Sequence, residues 1–383
     1  MDRITNDELA SLIDHSGKPS ISIYFNLPNS PTNAEKNKVE LKNLLKSAQK
    51  ELVHNDVLPK VASKLLEPGY DLLDQSDFWM NTNATVGLFI SKDRTTKVTI
   101  PIDVEPTLYI GPAFYTIPIF KFLSINQDCY ILSLSQNNTR LFHSNLFDCV
   151  EQPLGDMPKS LEEALKYDDF EKNKQFMKRD AGTAGEGTPG VYRGQGDGRD
   201  EHKTNLLRFM EIVEKEIYDR IKNERKPVFL AGVEYLASIF KKTNPRIPLK
   251  GNLINGNFDH HSENQFLDLI RPQLYHVFVE EVQKQLEHYK DLQSTDKASD
   301  DLLQIVSNAK QGKVETLFVT ENHFVSGIFN DTLFQASEKE KSIDTTDLMN
   351  MSAVETYNAG GRVYVVEPSL LGQGLVAAAI YRY

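Results

Sequence analysis

A buried-strand pattern between two helical stretches limits how the middle of this chain can fold. Residues 228–231 read Val-Phe-Leu-Ala, with Pro227 before them and Gly232 after them. A short run that is apolar at every position indicates a strand covered on both faces, as in a parallel or mixed sheet. The preceding helical stretch places six apolar residues on one face, at three- and four-residue steps: Leu206, Phe209, Met210, Val213, Ile217 and Ile221. Strands joined through such helices predict an α/β fold.

The length of the chain predicts several domains, because 383 residues exceed what one hydrophobic core usually covers. We expect an N-terminal α/β domain over residues 1–125, a central domain over 126–293 and a C-terminal domain over 294–383. Helices and strands alternate in the last of these, which predicts a small α/β/α sandwich. Three further strands are predicted in the first two domains, over residues 114–119, 128–134 and 139–143, the last two as a hairpin.

The charge balance restricts the class of partner. Acidic residues outnumber basic ones by 54 to 43, and the formal net charge is −11. This argues against a protein that coats nucleic acid, since phosphate neutralisation requires clustered Lys and Arg, but it leaves room for RNA contact through one loop or face. No apolar run reaches the roughly 18–20 residues that cross a bilayer, so no membrane partner is expected. The polar N-terminus and two cysteines, expected to be reduced, favour a cytoplasmic protein.

Glycine is concentrated in one loop, residues 181–198, which holds seven of the 21 glycines of the chain. Such a density predicts a mobile segment, which either carries function on a rigid scaffold or only connects two elements. The loop lacks the Lys-Ser or Lys-Thr of a phosphate-binding loop, the strand that precedes a dinucleotide fingerprint, and the alternating oxygen ligands of a calcium loop. We therefore expect no cofactor and no metal. Asp197 and Asp200 are expected to favour the positive N-terminal end of the following helix.

Gln195 lies between Gly194 and Gly196 near the end of this loop. Glycine on both sides leaves the backbone around the glutamine unobstructed, so the side-chain amide can be presented to a site that a partner supplies. In such a site the amide can position a water molecule or an oxyanion. The alternative interpretation is that Gln195 is an ordinary polar residue of a loop.

Two other groups of side chains bear on RNA and metal binding. Three basic residues near the glutamine are candidates for contact with RNA phosphates: Arg193, Arg199 and Lys203. Five acidic residues between positions 178 and 203 offset their charge. Asp259, His260 and His261 lack a further ligand at a supporting spacing. This second group is therefore predicted to be a solvated loop before a helix that starts at Ser262.

Four segments, taken together and in order, resemble a known family. They are Arg-Gly-Gln-Gly-Asp-Gly-Arg-Asp at 193–200, Pro-Val-Phe-Leu-Ala-Gly-Val-Glu at 227–234, Ala-Val-Glu-Thr-Tyr-Asn-Ala-Gly-Gly-Arg-Val-Tyr-Val-Val at 353–366, and Ala-Ala-Ala-Ile-Tyr-Arg-Tyr at 377–383. Over about residues 126–383 the chain resembles the bacterial branch of the archaeo-eukaryotic peptide release factor superfamily. The resemblance implies a ribonuclease-H-like central domain and a C-terminal domain like the kink-turn-binding ribosomal proteins.

The resemblance also implies how the loop would be used. In release factors a Gly-Gly-Gln tip reaches the peptidyl-transferase centre, where the glutamine helps water attack the peptidyl-tRNA ester. Only Gly194 and Gln195 match that tip, because Arg193 replaces its first glycine. Arginine restricts the backbone and adds bulk, which argues against hydrolysis, and Pelota-like members of the superfamily act without the motif.

We therefore expect a ribosome-associated protein that acts in rescue, recycling or protection of stalled or idle ribosomes through the 181–198 loop. Its expected partners are ribosomal RNA and peptidyl-tRNA, with a translational GTPase as a further candidate. Gln195 would be the catalytic or tip residue, Gly194 and Gly196 would give it clearance, and the three basic residues would contact RNA. Two alternatives stay open: a peptidyl-tRNA hydrolase that uses Gln195, and a non-ribosomal interaction module that kept the fold.

Overall fold

The structure is a computed structural model with several sheets and helices in a mixed α/β arrangement. It describes the chain except residues 1–3, 5, 28–33, 81–83, 156, 167–196, 225, 244, 322, 334 and 373, and it describes residues 197–201 by their backbone alone. The chain forms two compact units. Unit 1 combines residues 1–125 with residues 280–383, and unit 2 is continuous over residues 126–279.

The N-terminal part of unit 1 is a four-stranded antiparallel sheet with two long helices. Its helices are α1 (Asn6–Ile13), α2 (Ala34–His54), α3 (Pro59–Asp74), α4 (Ser76–Trp79) and α5 (Ile117–Ile125), and its strands are β1 (Ser16–Asn26), β2 (Thr85–Ile90), β3 (Thr95–Ile100) and β4 (Thr107–Ala113). The strand order is β3-β2-β1-β4. Apolar side chains of α2 recur at three- and four-residue steps and are fully buried: Leu41, Leu45, Ala48 and Leu52.

The strand predicted over residues 114–119 is wrong. Strand β4 ends at Ala113, and α5 begins at Ile117. The first four residues of α5 are all buried, so the segment is apolar on every side and has no helical periodicity in its sequence. A short run of this kind reads equally well as a strand or as a buried helix.

Unit 2 is built on a five-stranded mixed sheet. Its elements are β5 (Cys129–Leu134), β6 (Arg140–Ser144), β7 (Cys149–Gln152), α6 (Asp197–Ile221), β8 (Val228–Gly232), α7 (Glu234–Thr243), β9 (Ile254–Asn255) and the first part of α8 (Glu263–Leu292). The strand order is β7-β6-β5-β8-β9. Strands β5, β6 and β7 form an antiparallel meander, whereas β8 pairs parallel to β5 and β9 parallel to β8. The predicted hairpin and the predicted buried strand are both confirmed.

Helix α6 packs its predicted apolar face into the core of unit 2. All six residues of that face are buried: Leu206, Phe209, Met210, Val213, Ile217 and Ile221. They share a hydrophobic cluster with Leu132 and Leu230 of the two central strands. The helix begins at Asp197, so Asp197 and Asp200 belong to its first turn, as expected for acidic residues beside the positive end of a helix dipole.

The start of α8 is also as predicted. The hydroxyl of Ser262 accepts a hydrogen bond from the backbone N–H of Gln265, and the Gln265 side chain accepts from the backbone N–H of Ser262. This reciprocal pair is a capping box, which satisfies two backbone donors that the helix itself leaves free. Among the helices of the described residues, none is both long and apolar enough to cross a bilayer.

The C-terminal part of unit 1 contains two small sheets. Its elements are β10 (Ala298–Ser299), α9 (Leu302–Lys310), β11 (Val314–Thr320), β12 (Ser326–Asn330), β13 (Gln335–Glu338), β14 (Thr346–Asp347), α10 (Leu348–Asn358), β15 (Arg362–Val366), α11 (Pro368–Leu371) and β16 (Ala377–Tyr381). One sheet has the order β10-β16-β11-β15 and the other β13-β12-β14. Strands β11 and β15 are parallel, and the remaining pairs of both sheets are antiparallel.

Buried polar groups join the two parts of unit 1. The side-chain oxygen of Asn350 accepts hydrogen bonds from the backbone N–H and the hydroxyl of Thr116, at 2.7 and 2.9 Å. Its amide nitrogen donates to the carbonyl of Phe114 at 2.9 Å. Asn350 is 3% exposed and Thr116 is fully buried, so water does not compete for these bonds. The segment between β4 and α5 is therefore bonded directly to the late helix α10.

Candidate functional site

A cleft opens in unit 2 at the carboxyl ends of the neighbouring parallel strands β5 and β8. After β5 the chain turns towards β6 on one side, and after β8 it passes through α7 to β9 on the other side. Where connections leave two adjacent strands in opposite directions, a crevice forms that commonly binds ligands. We call it the switch-point cleft. It has a volume of about 210 Å³ and is lined by Leu134, Ser135, Gln136, Asn137, Val233, Leu236, Gly256, Asn257 and Asp259.

Gly232 brings the ends of the two strands close together. Its φ is +144°, in a region that side-chain-bearing residues rarely adopt. A Cβ atom at this position would lie 2.7 Å from the carbonyl oxygen of Leu134. The carbonyl of Gly232 accepts a hydrogen bond from the backbone N–H of Gly256 at 3.2 Å. Backbone alone therefore holds the three strand ends together beside the cleft.

The hydroxyl of Ser135 organises the turn that follows β5. It donates to the Oδ2 atom of Asp259 at 2.9 Å, and it accepts from the backbone N–H groups of Asn137 and Asn138 at 3.1 and 3.3 Å. One donor and two acceptor sites are all that a hydroxyl offers, so Ser135 is fully used. The amide of Asn138 also donates to the carbonyl of Asp259 at 3.2 Å.

Asp259 carries the negative charge of the cleft. Its Oδ1 atom is buried and has no hydrogen-bond partner among the described residues. A carboxylate oxygen that is removed from water without a partner is costly, so a donor or a cation that enters the cleft is stabilised there. None of the described residues that line the cleft is basic. The arrangement therefore disfavours phosphate and other anions.

Arg140 fixes the segment that carries Asp259. Its Nη1 atom donates to the carbonyls of Phe258 at 3.3 Å and His261 at 2.9 Å, and its other nitrogens donate to Oε2 of Glu151. The guanidinium lies 4.6 Å from the ring centroid of Phe142, and Arg140 is 8% exposed. The loop that was predicted to be solvated, residues 259–261, is thus bonded through its backbone to Arg140 both before and after Asp259.

Most of the residues that the sequence predicts to be functional lie outside the part of the chain that the structure describes. Arg193, Gly194, Gln195 and Gly196 lie outside the described residues, and so do the other loop residues up to 196. Arg199 is in the first turns of α6, where only the backbone is described. Lys203 is exposed on the same helix. Sequence reasoning missed the switch-point cleft, although Asp259 was one of the residues considered for a metal.

Comparison with protein families identifies the segment that holds both the loop and the cleft. Residues 129–269 match the model of bacterial archaeo-eukaryotic release factor family 7. The match covers less than half of the chain. The resemblance predicted from the sequence is confirmed, and the family 7 segment includes strands β5–β9, helices α6 and α7, residues 181–198 and every residue named above as lining the cleft.

Three solved structures illustrate what the chain is similar to. The archaeal translation termination factor aRF1 is 13% identical, with 100% of this chain and 99% of that chain covered and a TM-score of 0.23. Pelota of Archaeoglobus fulgidus is 11% identical over 79% and 80% of the two chains, with a TM-score of 0.30. Dom34 of S. cerevisiae is 12% identical over 78% and 79%, with a TM-score of 0.36. These TM-scores are too low to establish a common overall fold. No curated protein matches the chain.

Proposed function

We propose that this protein is a cytoplasmic, ribosome-associated, release-factor-like protein that acts in rescue, recycling or protection of stalled or idle ribosomes. The observation that carries the proposal is the match of residues 129–269 to a release factor family, because those residues enclose the 181–198 loop. In this proposal Gln195 is the tip that approaches the peptidyl-transferase centre. Gly194 and Gly196 give it clearance, and ribosomal RNA and peptidyl-tRNA are its partners, with a translational GTPase as a candidate for delivery.

The topology of unit 2 supports the finer fold that the resemblance implies. A three-stranded antiparallel meander extended by two parallel strands, in the order β7-β6-β5-β8-β9, is the arrangement of a ribonuclease-H-like sheet. In the C-terminal part, helices α9 and α10 alternate along the chain with the strands of a four-stranded sheet. This supports an α/β/α sandwich like the kink-turn-binding ribosomal proteins. The division into three domains after residues 125 and 293 stays a prediction.

Co-sedimentation with ribosomes tests the proposal. The comparison is between the full chain and a deletion of residues 182–195, which keeps α6 intact because that helix begins at Asp197. We expect the full chain to sediment with ribosomes and the deletion to bind more weakly. A full chain that stays in the supernatant at low and moderate salt, with stalled as well as idle ribosomes, overturns the proposal. It would favour the alternative of a non-ribosomal interaction module.

The proposed RNA contacts have their own test. Lys203 is exposed on α6, and Lys215 is exposed further along the same helix. A lysine that neutralises a phosphate releases a counterion, so Lys203→Ala should weaken ribosome binding and lower the salt slope by about one. Arg193→Ala and Arg199→Ala should act in the same direction. The matched control Lys215→Ala should leave both quantities unchanged, and an equal effect of the two lysine substitutions argues against a contact at Lys203.

A further inference from the structure

We propose that the switch-point cleft is a binding site for a guanidinium group on a short aliphatic stem. This inference is independent of the proposed action on the ribosome and of residues 181–198. It depends on three observations in the family 7 segment: the size of the cleft, its charge and the chemistry of its walls. Each of them selects among ligands.

The cleft has room for a small organic group. Its volume is about 210 Å³. One water molecule requires roughly 10–15 Å³ of such space, so the cleft holds a group of several non-hydrogen atoms. It is too small for an extended peptide and fits the end of one side chain or one small molecule.

The charge of the cleft selects a cation. Asp259 supplies a carboxylate whose Oδ1 atom is buried and has no hydrogen-bond partner among the described residues. The Ser135 hydroxyl holds the other oxygen, and Arg140 holds the backbone on either side, so this charge is fixed in place. An attraction between charges is stronger in a partly dry site than in water. A positive group in the cleft gives this carboxylate the partner that it lacks.

The ligand chemistry favours an organic cation over a metal ion. The described residues contain no group of three or more His, Cys, Asp or Glu side chains placed to hold a metal. A hard cation such as Ca²⁺ generally requires several carboxylate or carbonyl oxygens around it, and the cleft offers one carboxylate. A guanidinium has five N–H donors in a planar fork. Gln136, Asn137 and Asn257 also line the cleft, and their side-chain amides carry acceptor oxygens, of which that of Asn257 already accepts a hydrogen bond from the backbone N–H of Asp259 at 3.1 Å.

The apolar walls fit an aliphatic stem. Leu134 and Leu236 are buried at 3% and 2% exposure, while Val233 is 41% exposed at the edge of the cleft. Arginine-like groups commonly lay their methylene stems along apolar surface and place the charged head on polar atoms. The same chemistry is found in free small guanidines and in the arginine side chain of a protein partner, so the experiment has to separate these two sources.

Binding to the full-length protein is measured by ligand-observed NMR and by titration calorimetry. The probes are butylguanidine as a free guanidine, N-acetyl-arginine amide as an arginine in a chain, butylamine as a primary ammonium, and inorganic phosphate. We expect at least one of the two guanidinium probes to bind roughly tenfold more tightly than butylamine, because a guanidinium makes more hydrogen bonds than an ammonium group. Phosphate should not bind. Tighter binding of butylguanidine indicates a free small molecule, and equal or tighter binding of the arginine amide indicates a protein partner.

Three variants locate the site. Asp259→Asn keeps the shape of the side chain and removes the charge, so guanidinium affinity should fall by roughly tenfold or more. Val233→Phe narrows the edge of the cleft without altering its polar groups and should also weaken binding; it serves as a second test if Asp259→Asn disturbs folding. The matched control is Asp71→Asn, at an exposed carboxylate on α3. Wild-type affinity in both cleft variants, or no preference for guanidinium over butylamine, overturns the proposal.

Discussion

The phenolic oxygen of Tyr109 accepts a hydrogen bond from the backbone N–H of Asp347 at 2.9 Å, across 238 positions of sequence. Asp347 is 1% exposed. Its carboxylate accepts from the backbone N–H of Val325 at 3.0 Å and from that of Asn350 at 3.2 Å, which caps α10. Phe324 stacks on the Tyr109 ring, with centroids 5.8 Å apart. A buried acid thus lies at the junction between the early and late parts of unit 1.

The buried acid makes stability depend on pH. Burial raises the pKa of the Asp347 carboxyl from 3.8 to about 7, against the lowering effect of its backbone hydrogen bonds. Between these two values the folded protein holds a proton that the unfolded chain has lost, so the free energy of unfolding falls as the pH rises. The loss through this window is on the order of 4 kcal/mol. At pH values below the pKa of the unfolded chain this loss of stability does not occur, because both states are protonated.

Asp347→Asn removes this pH dependence, because an amide stays neutral throughout. Denaturant unfolding of the variant and the wild type at steps from pH 4 to pH 7.5 measures the difference. We expect the free energy of unfolding of the variant to rise relative to that of the wild type as the pH rises. The exposed substitution Asp71→Asn should run parallel to the wild type, and parallel curves for Asp347→Asn would show that Asp347 does not titrate in this range.

Asn350→Ala should destabilise unit 1 strongly. The substitution leaves the N–H and hydroxyl of Thr116 and the carbonyl of Phe114 without their partner in a site closed to water. Each buried polar group left unpaired costs about 1–3 kcal/mol, so the total should reach roughly 3 kcal/mol or more. Thermal unfolding measures the loss. The matched control is Asn358→Ala, at an exposed position of the same helix, which should lower Tm only slightly; equal losses would contradict the role given to Asn350.

Gly232→Ala should damage the switch-point cleft. Alanine is strained at a φ of +144°, and its Cβ would lie 2.7 Å from the carbonyl of Leu134, so β8 has to move away from β5. Gly374→Ala is the matched control, because Gly374 has a φ of +79° and nothing within 4 Å of the added atom. Strain alone costs about 1–3 kcal/mol at either site. The loss of stability measured by denaturant unfolding should therefore be larger for Gly232→Ala, and a smaller or equal loss contradicts the steric argument.

Arg193→Gly tests whether the arginine in the loop blocks hydrolysis. In the proposed function, the arginine in place of the first glycine restricts the backbone before Gly194 and Gln195. Peptide release from ribosome-bound peptidyl-tRNA is the measurement. Release should be faster with Arg193→Gly than with the wild type, and Gln195→Ala should abolish that gain. If Arg193→Gly releases no more peptide than wild type, the missing glycine is not what limits hydrolysis.

The sequence predicts those helices and strands whose apolar residues repeat at regular steps within a short stretch of chain. The apolar face of α6 and the buried strand β8 follow from spacing alone, since helices and covered strands repeat at fixed intervals. The switch-point cleft was not predictable in this way. Ser135 and Asp259 are 124 positions apart, and only the parallel pairing of β5, β8 and β9 brings them together. The sequence also did not predict that residues 1–125 and 280–383 form one unit, because these segments are far apart along the chain.

The two units also differ in when they can be completed during synthesis. Unit 2 is continuous, so all its residues are present once residue 279 has been made. The first strands of unit 1 are made earlier, yet Thr116 and Phe114 must wait for Asn350 before their hydrogen bonds can form. Domains generally fold as units while the chain emerges. Unit 2 can therefore fold before the unit that starts the chain, and a chain truncated before residue 350 leaves Thr116 and Phe114 without the partner of these hydrogen bonds.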